Sequence, residues 1–205
     1  MRLLVATGNP GKLVELRQWF EGLDVELVSL RDVGGAPDVI EDRDTFEDNA
    51  RKKARETAIA TGLPTLADDS GLEVDALDGA PSVWSARYAG HGATDAENNA
   101  KLLDALRAVP REERTARFLC ALALADPRGP LGEDEHVELG LCEGRVILAP
   151  RGDGGFGYDP LFELDATGRT LAELSREEKS AVSHRGQAAR RMRGFLERYL
   201  RRRDA

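Results

Sequence analysis

The sequence predicts an α/β fold in which a mixed β-sheet is flanked by helices. Three observations carry that reading: short apolar runs alternate with segments of helical periodicity, capping pairs mark helix starts, and two longer apolar runs follow each other across a polar loop. Residues 3–6 read as a buried strand that breaks at Thr7-Gly8-Asn9-Pro10-Gly11, after which Leu13, Leu16, Trp19 and Phe20 recur as on one helix face. A second strand is expected near residues 25–28, and Gly34, Gly35 and Pro37 mark a loop. Asp44 or Thr45, answered by Glu47 or Asp48, opens a helix expected to reach about Ala60 and to end at Gly62 and Pro64. Residues 65–67 and 72–74 read as two short strand pieces with Asp68-Asp69-Ser70-Gly71 between them. Thr94 and Glu97 form a capping box for a helix through Leu106. Residues 118–124 and 137–148 read as strands, antiparallel across the 126–135 loop. A glycine-rich loop at 152–158 follows, and a last helix is expected from about Gly186 to Arg203.

The chain has 205 residues, which suits a single domain over 1–205 with a substantial core. Its 29 Lys and Arg against 37 Asp and Glu give a net charge of −8, which argues against a broad basic surface for nucleic acid or anionic membrane. Cys120 and Cys142 lie in apolar surroundings without metal-ligand spacing and read as reduced core residues. The apolar run at residues 1–6 is too short for a signal peptide and no stretch approaches a membrane span, so a cytoplasmic protein is expected.

Four segments carry candidate chemistry. Thr7-Gly8-Asn9-Pro10-Gly11-Lys12 sits where a strand hands over to a helix, a place that suits an anion, although an ordinary connecting loop fits as well. Asp68-Asp69-Ser70-Gly71, with Glu41 upstream, reads on its residues alone first as a solvated Asx-turn, and otherwise as a set of oxygen ligands of the kind Mg²⁺ takes. Neighbouring residues of an extended strand point to opposite faces, so both aspartates reach one site only if the chain turns there, as Gly71 would permit. The stretch Gly152-Asp153-Gly154-Gly155-Phe156-Gly157 formally matches GxGxxG, but Asp159-Pro160 argues against the helix that a dinucleotide site needs. It reads either as a loop presenting Phe156 or Tyr158 to a base, with Asp159 nearby, or as a glycine-rich turn with core aromatics. The charged segment 175–186 ends in His184-Arg185-Gly186, which opens the last helix.

In this order, these stretches resemble the Ham1-like inosine/xanthosine triphosphate pyrophosphatase family. The matching pieces are Ala6-Thr7-Gly8-Asn9-Pro10-Gly11-Lys12, Thr45-Phe46-Glu47-Asp48-Asn49-Ala50 with Lys53-Ala54, and Leu66-Ala67-Asp68-Asp69-Ser70-Gly71-Leu72. Ser85-Ala86-Arg87-Tyr88, Gly155-Phe156-Gly157-Tyr158-Asp159-Pro160 and Ser183-His184-Arg185-Gly186 complete the set. The resemblance implies an elongated mixed sheet in two lobes with a central active-site cleft, and a Mg²⁺-dependent homodimer. It implies hydrolysis of ITP, dITP and XTP between the α and β phosphates to monophosphate and pyrophosphate, clearing deaminated purines from the nucleotide pool. Carried over by residue, Asp69 activates water, and Glu41 and Asp69 are the metal-side carboxylates, with Asp38 and Asp42 as neighbouring alternatives to Glu41. Thr7, Gly8, Asn9, Pro10, Gly11, Lys12, Lys53 and Ser70 would face the triphosphate. Phe156, Gly157, Tyr158, Asp159, Lys179, His184 and Arg185 would hold the nucleoside.

Two readings of other classes compete. A nucleotide sensor without turnover would not need Asp69, and a nucleic-acid module would have to rely on Arg190, Arg191, Arg193, Arg198 and Arg201 to Arg203, a run that reads more simply as a solvated helix face.

Overall fold

Strand β1 (Arg2–Val5) is apolar at Leu3, Leu4 and Val5 because both its faces are covered, as a central parallel strand requires. The computed structural model, which describes residues 1–203, pairs β1 in parallel with β2 (Glu26–Ser29), Leu3 beside Leu27 and Val5 beside Ser29. On its other edge β1 pairs in parallel with β3 (Thr65–Val74), Leu4 beside Thr65. Parallel neighbours need long crossovers. Helix α1 (Pro10–Trp19) lies between β1 and β2 in the chain, and α2 (Phe46–Thr61) between β2 and β3. Strands β4 (Thr115–Ala125), β5 (Glu135–Val146) and β6 (Phe162–Glu163) complete a six-stranded sheet in the order β2-β1-β3-β4-β5-β6. The β5–β6 pair is antiparallel, so the sheet is mixed.

Helix starts follow the capping chemistry. The Thr45 hydroxyl accepts from the Asp48 N–H at 3.1 Å to open α2, and Gly62 ends it in the left-handed region at φ 71°. Thr94 and Glu97 close a reciprocal box at the start of α3 (Asp95–Leu106). The same device, Ser175 with Glu178, starts α4 (Arg176–Val182), a helix the sequence reading left as a charged segment. Helix α5 (His184–Arg203) begins two residues before Gly186.

One expectation is corrected. The chain does not turn at residues 68–71: β3 runs unbroken from Thr65 to Val74. Asp and Gly are poor strand formers, but β3 lies between β1, with which it pairs at Thr65 and Leu66, and β4, and such sheet context outweighs propensity.

The chain divides into two compact units, and β3, β4 and β5 each give residues to both. The first comprises Met1–Asp69, Cys120–Gly140 and the chain from Arg185 onward, around a core that includes Leu3, Val5, Leu16, Phe20, Leu66, Leu122, Met192 and Leu196. The second comprises Ser70–Leu119 and Leu141–His184, around Leu72, Leu102, Leu106, Phe118, Phe162 and Leu171. Each core holds one free, buried cysteine: burial pushes the Cys120 thiol up to about 12 and that of Cys142 up to about 11. Among the described residues no helix is long and apolar enough to cross a membrane.

Candidate active site

The loop after β1 is organised by its own side chains. Asn9 caps α1, its Oδ1 accepting from the N–H of Gly11 at 2.8 Å and of Lys12 at 3.3 Å, while Thr7 Oγ1 accepts from the Asn9 N–H at 3.1 Å. Gly8 is followed by these capped residues, and the side chain of Pro10 lies outside what the structure describes. Lys12 projects from the first turn of α1 and donates to Asp68 Oδ2 at 2.6 Å. Arg185, in the first turn of α5, is buried, pairs with Glu15 at 2.7 Å and approaches the same Asp68 oxygen at 3.8 Å. Burial alone would raise the Asp68 carboxyl, but Lys12, Arg185 and Lys53 outweigh it and hold Asp68 far below the usual carboxylate range. Its other oxygen, Oδ1, is buried with no hydrogen-bond donor.

Asp69, one residue on, meets different company. Its Oδ2 accepts from Asn49 Nδ2 of α2 at 3.0 Å, and Asn49 Oδ1 is itself fixed by the Arg43 N–H at 2.9 Å. Burial, and then the negative charge of Glu41, push the Asp69 carboxyl up to about 6, although Asn49, Lys53 and Lys12 pull it the other way. Lys53, one turn along α2 from Asn49, donates to Glu41 Oε1 and to the Asp68 carbonyl, the latter at 3.0 Å. Burial works against the Lys53 charge, but Asp68 and Glu41 more than offset it and raise its pKa. Of the neighbouring acids, Glu41 is therefore the one in electrostatic reach of Asp69. Asp42 pairs instead with Lys52 at 2.7 Å. Ser70 follows on β3, half-buried.

A carboxyl raised to about 6, a second carboxylate crowding it and two lysines form a set suited to an oxygen-liganded dication and phosphate oxygens. Among the described residues no three His, Cys, Asp or Glu side chains converge into an all-protein metal cage, and Mg²⁺ does not require one, because it takes only one or two carboxylates.

The glycine-rich loop belongs to the second unit. Gly155 stands at φ +75°, where an added Cβ would lie 2.1 Å from Asp159 Oδ2, so no larger residue fits. That oxygen accepts from the Phe156 N–H at 2.8 Å and from Lys179 Nζ at 2.5 Å, and the Lys179 ammonium sits 5.0 Å from the centre of the Phe156 ring. Phe156 is 42% exposed, whereas Tyr158 is 5% exposed and donates its hydroxyl to the Ser85 carbonyl at 2.8 Å. Of the two rings, Phe156 is thus the one a planar ligand can reach. His184 is buried and stacked on Phe118, ring centres 4.8 Å apart.

The family model for the Ham1 family matches residues 3–195. The chain belongs to the Ham1 family. A dITP/XTP pyrophosphatase of Geobacter sulfurreducens is 55% identical over 187 residues, 91% of this chain and 92% of that protein. One of Desulforamulus reducens is 48% identical over 97% of this chain and 96% of its own. Among solved structures, a HAM1 protein from Coxiella burnetii matches with a TM-score of 0.87 at 42% identity, covering 97% of this chain and 99% of that one. The α/β architecture with a mixed six-stranded sheet is thus shared with Ham1 structures.

Against this Ham1 background, two polar residues of the first unit stand out that sequence reasoning gave no role: Asn49, a neutral amide inside a quoted motif, which holds Asp69, and Glu15, which pairs with Arg185. The signal for Asn49 was its place one turn before Lys53, which puts both on one face of α2.

Proposed function

We infer that this Ham1 protein is a nucleoside-triphosphate pyrophosphatase acting on ITP, dITP and XTP, releasing the monophosphate and pyrophosphate. The observation that carries this is Asp69, a buried carboxyl raised to about 6 beside Glu41 and Lys53, in a chain about half identical to proteins named dITP/XTP pyrophosphatase. Ionised at neutral pH yet still basic, Asp69 accepts a proton from the attacking water, and Asn49 orients its carboxylate. Glu41 and Asp69 would hold Mg²⁺, which when bound supplies positive charge against the phosphate oxygens. Lys12, Lys53, Ser70 and the 7–12 loop take the triphosphate; the ammonium groups act as point charges on its oxygens. Phe156 stacks on the base, while Gly157, Tyr158, Asp159, Lys179, His184 and Arg185 complete the nucleoside contacts. A pocket whose buried donors face a 6-oxo group leaves them facing donors when a 6-amino base enters, a mismatch that can reach about 10⁴-fold. A homodimer acting on the cytoplasmic nucleotide pool is part of this reading.

Purified protein with Mg²⁺, given ITP, dITP, XTP, ATP and GTP, should release pyrophosphate and monophosphate from the first three far faster than from the last two. Inorganic phosphate with a diphosphate left behind would overturn the reading, as would tight ITP binding without product. Light scattering should give twice the chain mass.

A further inference from the structure

We infer that Asp95 and Asn99, at the start of α3, are positioning residues for base recognition that hold the Gly157 peptide in place. The inference rests on the reading that the glycine-rich loop receives the base. The Gly157 N–H donates to Asp95 Oδ2 at 2.7 Å, and Asn99 Nδ2 donates to the Gly157 carbonyl at 3.0 Å. The two residues are four apart, so they share one face of α3 and grip both polar groups of a single loop residue. Gly157 has φ +60°, and a Cβ added there would meet nothing within 4 Å beyond its chain neighbours. In a loop with glycines at 152, 154, 155 and 157, conformational freedom is high, and at Gly157 the two hydrogen bonds from α3 restrict it.

Asn99 distinguishes this from ordinary packing. Its Oδ1 is buried with no hydrogen-bond partner, an unfavourable arrangement that an apolar side chain would avoid. Turning the amide over would set Oδ1 against the Gly157 carbonyl, so its orientation is dictated by that one bond. The neighbouring Asn98 points elsewhere: it accepts from the Ala89 N–H at 2.8 Å and donates to the Ala86 carbonyl at 3.2 Å. It thereby steadies the segment whose Ser85 carbonyl receives the Tyr158 hydroxyl. Three successive loop residues therefore have separate anchors: Phe156 on Asp159, Gly157 on Asp95 and Asn99, and Tyr158 on Ser85. The middle anchor fixes the peptide next to the exposed Phe156 ring, and so fixes the direction in which that ring is presented.

The test compares Asp95→Ala and Asn99→Ala with the wild type in ITP kinetics, and in calorimetric binding of the products IMP and pyrophosphate. Each variant loses one hydrogen bond, so KM for ITP should rise about tenfold while kcat stays within about threefold. IMP affinity should fall in parallel and pyrophosphate affinity should stay unchanged. Asp95→Asn, whose amide oxygen can still accept from the Gly157 N–H, should restore wild-type KM. Asn99→Asp, similar in size but carrying an acceptor against the Gly157 carbonyl, should raise KM at least as much as Asn99→Ala, and serves if the alanine variant does not fold. Equal losses for IMP and pyrophosphate, a fall in kcat alone, or an unchanged KM would overturn the inference. Phe156→Ala separates the two levels. If it leaves IMP affinity at the wild-type value, the base-binding reading of the loop fails; if it weakens IMP while Asn99→Ala and Asn99→Asp do not, only the positioning role falls.

Discussion

Asp68 and Asp69 are adjacent in β3 and chemically identical, yet the fold drives them in opposite directions. On one side of the strand Asp68 faces Lys12 and Arg185, and its carboxyl is held far below the usual range. On the other, Asp69 faces Asn49 and the charge of Glu41, and its carboxyl is raised to about 6. Both are buried, so burial does not separate them. The difference is the sign of the nearest charges, which the alternation of an extended strand assigns to each residue in turn. One carboxylate becomes a fixed counter-ion for the cations around it. The other keeps its affinity for a proton and can serve as a base.

The widest gap between the pair should appear in catalysis. Asp69→Asn should lower the rate of pyrophosphate release by about 10² to 10⁴ with ITP still bound, because the proton acceptor is gone while the phosphate contacts remain. Near-normal turnover in that variant would erase the distinction.

In stability the roles reverse. Asp68→Ala leaves Lys12 and Arg185 largely buried without their counter-ion and should cost about 3 kcal/mol in urea unfolding at pH 7. The Asp68 contribution, from a lowered folded-state pKa, is present above about pH 4 and is lost as pH falls further. Asp69 has the opposite sign. Its folded-state pKa is raised from 3.8 to about 6, so the folded state holds its proton longer than the unfolded chain and stability falls between about pH 4 and 6. Metal-free Asp69→Asn should therefore be more stable than wild type at pH 8, by about 2 to 3 kcal/mol, with the difference vanishing below pH 4. A variant less stable than wild type at pH 8 would show that the Asn49 bond outweighs the crowding.

The smallest effect isolates that bond. Asn49→Ala removes a donor that favours the ionised form, so carboxyl NMR of the metal-free protein should show the Asp69 titration moving up by under about 1 unit. No movement would mean that burial and Glu41 alone set it.

Much of this was legible without coordinates. The apolar run of β1 and the capping pairs at Thr45 and Thr94 specify local geometry through chemistry between residues a few positions apart, and both helices start where those caps place them. Helix α4 was missed although Ser175 and Glu178 carry the same signal, because its charge density reads as a solvated segment. β3 was split in two because Asp68-Asp69-Ser70-Gly71 has turn composition, and only pairing with its neighbours makes it a strand. In the candidate site the ionisable groups drew attention, and of the amides only Asn9 did. Asn49 and Asn99 act through single hydrogen bonds to residues 20 and 58 positions away, and no local pattern announces such a bond.

By itself, then, the sequence determined the α/β class, most helix starts, the family and the residue types available for phosphate and base, since these rest on periodicity, caps and short motifs. Only the tertiary structure decided which of two neighbouring aspartates has its carboxyl raised and which has it lowered, which of Phe156 and Tyr158 is accessible, and what holds the loop that carries them. Those depend on which charges and donors distant segments bring within a few ångströms, and on whether water remains beside them.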